Sequence, residues 1–508
     1  MARRDEGAYC RYVTEEERSQ PGCIGREGDR LSHSRARSVA RATSAIKGAE
    51  GFVLGALLAL PGCDHARAAG ETRSPLPGPS AATVAAAPSA RLTLSQLPPP
   101  GLSLKAQLGK RLFFDQSLSA SGKMACSTCH DPQHAYGPPN DLAVQLGGPE
   151  RKDPGERAVP SLRYQEFTPA YADLLENPDG MSAPGPGGGF TWDGRASTLA
   201  EQAKLPLLSP VEMANADAAS VVRKLKAAGY AGTLEAAFGQ GALDDVDRAF
   251  DDILAALEAF QREDSSFHPY TSKYDLYTGN KLGGAFTAAE LRGAQVFSDP
   301  ARGNCSSCHF AGPAIGGSSG MFSDYSYEAI GVPRNAEIPA NKASEHVDLG
   351  LCGPLRRDHA SSSPADAKFC GMFKTPSLRN VATRHVFFHN GVMHSLEQVL
   401  RFYSTRDVMP ELWYPTTGGE PKAKPDANFP SYGLIKTQYV GGHVQKYDDL
   451  PAANRGNIDS QLPLDGRKPH AKPPLSEKNL SDLLCFLNTL TDDYRPPAEL
   501  PAAAACVD

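Results

Sequence analysis

"CSTCHDPQHAYG", Cys126–Gly137, begins with a Cys-x-x-Cys-His run. This run is the attachment motif of c-type haem, in which two thiols bond the porphyrin and the histidine binds the iron. A second run, "CSSCH", occupies Cys305–His309. Paired cysteines also hold zinc or form redox dithiols, but zinc sites usually place the histidine well apart from the pair. We therefore predict two covalently bound haem c groups, with His130 and His309 as proximal iron ligands. The attaching thiols are Cys126, Cys129, Cys305 and Cys308.

Helical periodicity dominates the rest of the chain. Apolar residues recur at helical spacing over 104–112, 250–260 and 480–490. Thr287 and Glu290 are spaced as a capping box, and Ser476 is placed to cap the last helix. Alternating strand patterns are scarce, and the 48 glycines and 42 prolines predict long loops. We expect a mainly α fold, with two cytochrome c-like haem domains, long loops and little β structure.

The chain divides into five predicted parts. They are a leader with a signal peptide at 1–62, an Ala/Pro-rich linker at 63–100, an N-terminal haem domain at 101–278, a C-terminal haem domain at 279–495 and a tail at 496–508. The apolar run Gly51–Leu60 is too short to span a bilayer and is typical of a signal peptide. Cys63 follows it as a candidate lipidation site. We expect a periplasmic protein, with a lipid tether through Cys63 as an open alternative.

The net charge and the cysteine content bear on the partners and on the disulfides of the protein. The net charge of −6 and the lack of a basic patch argue against a nucleic-acid partner. Outside the haem motifs and the N-terminal region, four cysteines remain, which suits disulfides in an exported chain. Pairing nearest neighbours gives Cys352–Cys370 and Cys485–Cys506, although the sequence allows three connectivities.

Several motifs occur in the order found in one known family. They are "LGKRLFFDQSLSASGKMACSTCHDP", "FTWDGRASTLAEQA", "LLSPVEM", "CSSCHFAG", "FKTPSLRN" and "HNGVMHSLEQVLRFY". Together they resemble the bacterial di-haem cytochrome c peroxidases and MauG, from about residue 100 to about 405. The resemblance implies a peroxidase that uses hydrogen peroxide at its first haem.

The far side of the first iron is predicted to be open. Family members that need reductive activation carry a ligating histidine on a loop that reads "GGPERKDPGERAVPSL" in this chain, with no histidine. His134 lies four residues after His130, so we expect it to stay near the proximal side. Splitting peroxide then needs a general acid and base above the iron. By the resemblance, Glu212 shuttles the proton, Gln202 orients it, Trp192 relays electrons between the haems and Pro206 shapes the pocket.

Tyr403 is the expected sixth ligand of the second iron. It stands where MauG-like members place a ligating tyrosine, and it shares a helical face with Leu396, Val399 and Leu400. Rival candidates outside that position are Met372, Met393 and Met409. A tyrosinate lowers the potential of the haem that it binds, so this haem is expected to store oxidising equivalents.

Calcium is doubtful as a further cofactor. The family usually holds it between the haems, but the corresponding positions are Ala158, Arg384 and Val386, which supply no oxygen-bearing side chain. The Tyr403 position favours MauG-like oxidation of a partner protein. The alternatives are reduction of peroxide with electrons from a small periplasmic redox protein, and a non-catalytic electron carrier with two six-coordinate irons.

Overall fold

Helices carry the fold, joined by long loops. The structure is a computed structural model that describes residues 101–312, 319–359, 363, 365–417, 420–422, 438–440, 443–496 and 506. The predicted leader, the linker and Cys63 lie outside the described residues. All described residues belong to one compact unit. No helix in these ranges is both long and apolar enough to span a bilayer.

The described α-helices follow one another with few strands between them. They are α1 Leu104–Phe113, α2 Cys126–Cys129, α3 Leu199–Leu208, α4 Ala218–Ala227, α5 Ala231–Phe238, α6 Val246–Glu263, α7 Lys273–Thr278, α8 Ala288–Ser298, α9 Leu396–Thr405 and α10 Glu477–Asn488. Short 3₁₀ turns include Pro132–His134 and Cys305–Ser307. The capping box of Thr287 and Glu290 and the Ser476 cap are both present, as predicted.

The strands are short, and the described ones pair only as antiparallel two-stranded ribbons. They are β1 Leu146–Gly147 with β2 Asp153–Pro154, β3 Ala172–Leu175 with β4 Gly185–Gly187, β5 Tyr327–Glu328 with β6 Phe373–Lys374, β7 Thr416–Thr417 with β10 His443–Val444, and β8 Glu420–Lys422 with β9 Gln438–Val440. The mainly α fold with little β structure is confirmed.

Two hydrophobic cores account for most of the packing. The first joins α1, α3, α4, α5 and α6 around Leu108, Ile253 and Phe260, all fully buried. The second joins α8, α9 and α10 around Phe402 and Leu483. Burying aliphatic and aromatic side chains contributes roughly 1.5–3 kcal/mol for each. The loops between the cores are therefore held by the helices on either side.

A glycine allows close helix contact in each core. A Cβ on Gly109 of α1 would lie 1.9 Å from the Ala256 carbonyl oxygen of α6, and a Cβ on Gly293 of α8 would lie 2.0 Å from the Asp482 carbonyl oxygen of α10. Both helices directly precede a haem motif, α1 the first and α8 the second. The same close contact thus recurs in the two halves of the chain.

Two disulfides join the remaining cysteines. Cys352 bonds Cys370, and Cys485 of α10 bonds Cys506. The nearest-neighbour pairing is confirmed.

Candidate active site

A single cavity connects the two Cys-x-x-Cys-His motifs. Its volume is about 860 Å³, and mostly apolar side chains line it. It reaches from His130 of the first motif to His309 of the second. Cys126 packs against the first core instead of lining the cavity. None of the four motif cysteines takes part in a disulfide, which leaves them available for haem attachment. The site residues named from the sequence, Cys126 apart, all line one cavity.

Each motif presents its histidine in the same way. In the first, the one-turn helix α2 ends at Cys129, and the His130 ring nitrogen Nδ1 lies 3.0 Å from the Tyr136 carbonyl oxygen. In the second, Nδ1 of His309 lies 3.1 Å from the Phe322 carbonyl oxygen. A carbonyl only accepts, so each Nδ1 carries the proton and Nε2 is left as the metal ligand.

Burial keeps both proximal histidines neutral. It lowers the pKa of His130 to about 4, against smaller upward contributions from the carbonyls of Tyr136 and Pro160. It lowers the pKa of His309 to about 4 as well. A neutral imidazole is the form that binds iron. Two cysteines outside any disulfide beside a neutral histidine, present twice along one mostly apolar cavity that both histidines line, fit two c-type haems.

Glu212 lies in the turn that follows α3. Its backbone carbonyl accepts from the Gly148 N–H at 2.8 Å. Its side chain lines the cavity, where part of its surface stays accessible, and burial among protein atoms raises the pKa of its carboxyl, although a hydrogen bond from Ser209 opposes this. Burial and then the Glu212 charge raise the pKa of the Cys129 thiol to about 11, which puts the carboxyl beside the first motif.

Gly147 holds the Glu212 turn close to the β1–β2 ribbon. A Cβ at this position would lie 2.1 Å from the Val211 carbonyl oxygen and 2.7 Å from the Glu212 Cα. No side chain fits there without moving the turn. The sequence reasoning missed Gly147, and its only signal was the pair of glycines at the start of the loop "GGPERKDPGERAVPSL".

Gln202 and Pro206, the other two residues expected to shape the pocket above the first haem, lie on α3. Thr198 caps this helix, and Gln202, Pro206 and Ser209 follow at the spacing of one helix face. Gln202, Pro206 and Ser209 all line the cavity. Proline has no N–H, so Pro206 leaves the Gln202 backbone carbonyl without its helical partner. The carbonyl of Pro206 itself accepts from the Met213 N–H at 3.0 Å, and this hydrogen bond connects the turn that contains Glu212 to α3.

Trp192 is fixed from two sides. Its indole Nε1–H donates to the Ala158 carbonyl at 2.8 Å, and its own carbonyl accepts from the Lys374 N–H of β6 at 2.9 Å. The residue before it, Thr191, has a φ of +71°, which is rare for a β-branched residue. Such strain persists only where the surroundings force it. Trp192 is therefore a rigid wall of the cavity.

The second half of the cavity is walled by α9. Leu396, Val399, Leu400 and Tyr403 all line it, as the helical spacing predicted. Burial, and then the charges of Cys308 and Cys305, raise the pKa of Tyr403, so its hydroxyl lies near the second motif. Met372, Met393 and Met409 do not line the cavity. Tyr325 does, and its buried hydroxyl has no hydrogen-bond partner among the described residues.

Comparisons with known proteins show which family this chain resembles. Residues 103–282 match the family model described as di-haem cytochrome c peroxidase. The methylamine utilization protein MauG of Paracoccus denitrificans is 34% identical over 409 residues, which cover 78% of this chain and 92% of MauG.

The chain belongs to the di-haem cytochrome c peroxidase and MauG family.

Other relatives in the family extend this result. The cytochrome c551 peroxidase of Nitrosomonas europaea is 30% identical over 298 residues, which cover 58% of this chain and 74% of that protein. The crystal structure of the diheme peroxidase BthA from Burkholderia thailandensis matches with a TM-score of 0.64 and 34% identity, over 78% of this chain and 87% of that one. The chain is thus a di-haem peroxidase with two covalently bound c-type haems, and these predictions are confirmed.

An ion-pair network stiffens the wall of the cavity in this di-haem peroxidase. Arg157 binds Asp348 through two hydrogen bonds of 2.7 Å and Asp193 at 2.8 Å, and Asp193 also pairs with Arg195. Burial alone would raise the pKa of Asp193, but the two guanidiniums outweigh it and lower that pKa to about 2. The network joins loops far apart in sequence. Asp193 directly follows Trp192, so the network also anchors the indole.

The family's calcium ligands do not reappear in this chain. Ala158 has no oxygen in its side chain, and the Arg384 guanidinium occupies one of the carbonyls that remain, that of Val386. Its Nη2 donates to the Val159 carbonyl at 3.1 Å and its Nε to the Val386 carbonyl at 3.2 Å. Calcium needs several oxygen ligands and no neighbouring positive charge. The described residues therefore do not fit a calcium ion at this position.

Proposed function

We propose that this di-haem peroxidase reduces hydrogen peroxide at the haem held by His130 and uses the oxidising equivalents on a partner protein. The haems supply the redox chemistry when bound. The observation that carries the proposal is the carboxyl of Glu212, which lines the cavity together with Cys129 and His130 of the first motif. The loop 147–162, which packs against the Glu212 turn, carries no histidine that could bind the first iron.

The protein side chains then move the protons. Reduction of one peroxide takes up two electrons and two protons and releases two waters. In its ionised form, Glu212 takes a proton from one peroxide oxygen and returns it to the oxygen that leaves. Gln202 and Pro206, on the same face of α3, orient the carboxyl and keep peroxide in place.

The haem expected in the second half of the cavity would store one oxidising equivalent. Here His309 and Tyr403 would hold the second haem iron, and Trp192 would carry electrons between the two haems. The support for this arrangement is that α9 presents Tyr403 to the cavity while the three candidate methionines face elsewhere. An anionic oxygen ligand stabilises oxidised iron, which suits long-range oxidation of a protein substrate.

Location and organisation complete the proposal. The signal-like segment before Cys63 supports export to the periplasm, where a protein substrate or electron donor would be met. A lipid tether at Cys63 is tested by mass spectrometry of the mature N-terminus. The two hydrophobic cores support two haem domains, and Tyr274 of α7 already packs against the second core.

Electron paramagnetic resonance (EPR) of the resting ferric holoprotein tests the function. We expect one high-spin signal from the open first haem and one low-spin signal from the second. Two low-spin signals would contradict the open site and favour an electron carrier.

A second measurement separates the two peroxidase variants. One equivalent of hydrogen peroxide should abolish both ferric EPR signals for a long time when no electron donor is present. Rapid recovery only with a reduced small c-type cytochrome, together with failure to oxidise any protein tyrosine or tryptophan, would favour the cytochrome c peroxidase reading that the Nitrosomonas relative suggests.

A further inference from the structure

Two consecutive carbonyls accept hydrogen bonds from two different groups of the site. We call residues Ala158–Pro160 the strap. The Ala158 carbonyl accepts from the Trp192 indole at 2.8 Å, and the Val159 carbonyl accepts from Arg384 Nη2 at 3.1 Å. All three strap residues line the cavity, as His130 does. One short stretch of backbone thus joins the indole to Arg384 on the cavity wall that holds the proximal histidine.

The Arg384 side chain holds the strap through its hydrogen bond to the Val159 carbonyl. Its second hydrogen bond, from Nε to the Val386 carbonyl, fixes the guanidinium to its own loop. The planar fork of arginine holds two acceptors in a fixed relation, which a lysine ammonium does not do. The strap is therefore joined to the 384–386 loop through a rigid group.

The Arg384 charge differs from most cationic charges around the cavity. Arg157, Arg163, Arg195 and Arg379 each pair with a carboxylate. No carboxylate oxygen of the described chain lies within 4.0 Å of the Arg384 guanidinium, which lines the same cavity. A buried charge without a counter-charge is costly, so this position suits an anionic group. The carboxylates of a bound haem would supply one.

We propose that Arg384 is a positioning residue that takes the place of a bound metal ion between the two haems. Its guanidinium holds the strap, and through the strap it sets the position of Trp192 relative to His130. Its permanent charge raises the reduction potential of the first haem. This inference rests on the proposed function only in assigning electron relay to Trp192.

A merely structural role for Arg384 would give a different pattern. A residue that only holds two loops together would change stability but not the properties of the resting haems. A fixed charge acts on the haem potential even when the fold is intact, because a nearby positive charge favours the reduced iron. The charge-keeping variant Arg384→Lys separates these effects from Arg384→Gln, which removes the charge. Arg248→Gln, an exposed arginine on α6, is the matched control.

The first test measures metal content and resting haems in the holoprotein. Wild type should contain no stoichiometric calcium, and dialysis against EGTA should leave its EPR spectrum unchanged. In a redox titration, Arg384→Gln should lower the potential of the first haem, Arg384→Lys should shift it less, and Arg248→Gln should leave it alone. One tightly bound calcium per chain whose removal changes the spectra, or equal potentials in all four proteins, would overturn the inference.

The second test follows electron transfer between the haems. After one equivalent of hydrogen peroxide, loss of the low-spin signal should slow by about tenfold in both Arg384 variants, since misplacing a reacting group by about 1 Å costs a large factor in rate. Loss of the high-spin signal should keep its wild-type rate. If the wild-type protein does not react with peroxide, the proposed function is wrong. The calcium content and the haem reduction potentials then still test the role of Arg384 independently. If the low-spin signal is lost at the wild-type rate in both variants, the strap does not set the position of Trp192.

Discussion

A carboxyl that accepts and then returns a proton works best when its pKa lies near the pH of the reaction. Burial raises the pKa of Glu212 toward this range, and Gly147 and the Pro206 carbonyl hold its turn in place. The residue type could be read from the sequence through the family motif. The position of its turn could not, because it depends on a loop that lies more than fifty residues earlier in the chain.

Replacing Glu212 by Gln should slow the reaction with peroxide by about 10²–10⁴-fold, the usual contribution of a general acid or base. Both haems should stay attached. The wild-type rate should fall as the pH drops through a pKa above the ordinary 4.5, because protonation removes the base. Stopped-flow absorbance against pH measures both effects. Glu150→Gln, on an exposed loop, is the control, and a variant that kept the wild-type pH profile would exclude Glu212 as the proton shuttle.

The ligand of the second iron gives another test at this scale. Tyr403→Phe removes only the hydroxyl, so it should convert the low-spin ferric EPR signal to a high-spin one and leave the first haem unchanged. Tyr325→Phe is the matched control, since its buried hydroxyl also lines the cavity. If Tyr325→Phe removed the low-spin signal and Tyr403→Phe did not, the assignment of the ligand would be wrong.

Helix contacts explain why the two halves of the chain look alike. The segments "LGKRLFFD" and "LRGAQVFSD" each contribute a glycine at a helix contact and then lead into a haem motif. Helical periodicity and caps predicted these helices well. The ribbons could not be predicted, because strands of two to four residues carry too little pattern and depend on contacts between distant loops. The Arg157 network was missed for the same reason.

Substituting Ala at Gly109 or Gly293 should destabilise the holoprotein by about 1–3 kcal/mol, the usual cost of overpacking a helix contact. Each new Cβ would meet a backbone carbonyl of the facing helix, which has no rotamer to change. Gly232→Ala on α5 is the control, because its Cβ would meet nothing within 4 Å and alanine favours the helix. Chemical denaturation measures all three. Equal midpoints for Gly109→Ala and Gly232→Ala would show that the contact is not tight.

At the scale of the whole molecule, the cavity bears on stability. It has a volume of about 860 Å³ and is lined mostly by apolar side chains, whose burial against a bound group is favourable. The stability of a typical domain is only about 5–15 kcal/mol. We therefore expect the cofactors that fill this space to contribute a substantial part of the stability of the fold. Composition gave no hint of the cavity, whereas the two motifs implied it.

Removing a haem should consequently unfold half of the site. A Cys126→Ser, Cys129→Ser double variant cannot attach the first haem and should lose near-ultraviolet circular dichroism and cooperative unfolding, while α-helical signal is partly kept. The corresponding double variant at Cys305 and Cys308 should show the same two losses. The holoprotein is the reference. A variant without haem that melted cooperatively at the wild-type temperature would show that the chain folds without its cofactor.

The two disulfides also bear on how the chain matures. The cysteines that they join are 18 and 21 residues apart, and neither enclosed stretch contains a thiol of a haem motif. An oxidase acting on neighbouring cysteines would seal Cys126 to Cys129 as readily as it joins the native partners, so the motif thiols must reach the ligating enzyme in reduced form. Because neither native bridge encircles a motif, the two native disulfides themselves do not obstruct haem ligation, as long as the motif thiols are still reduced.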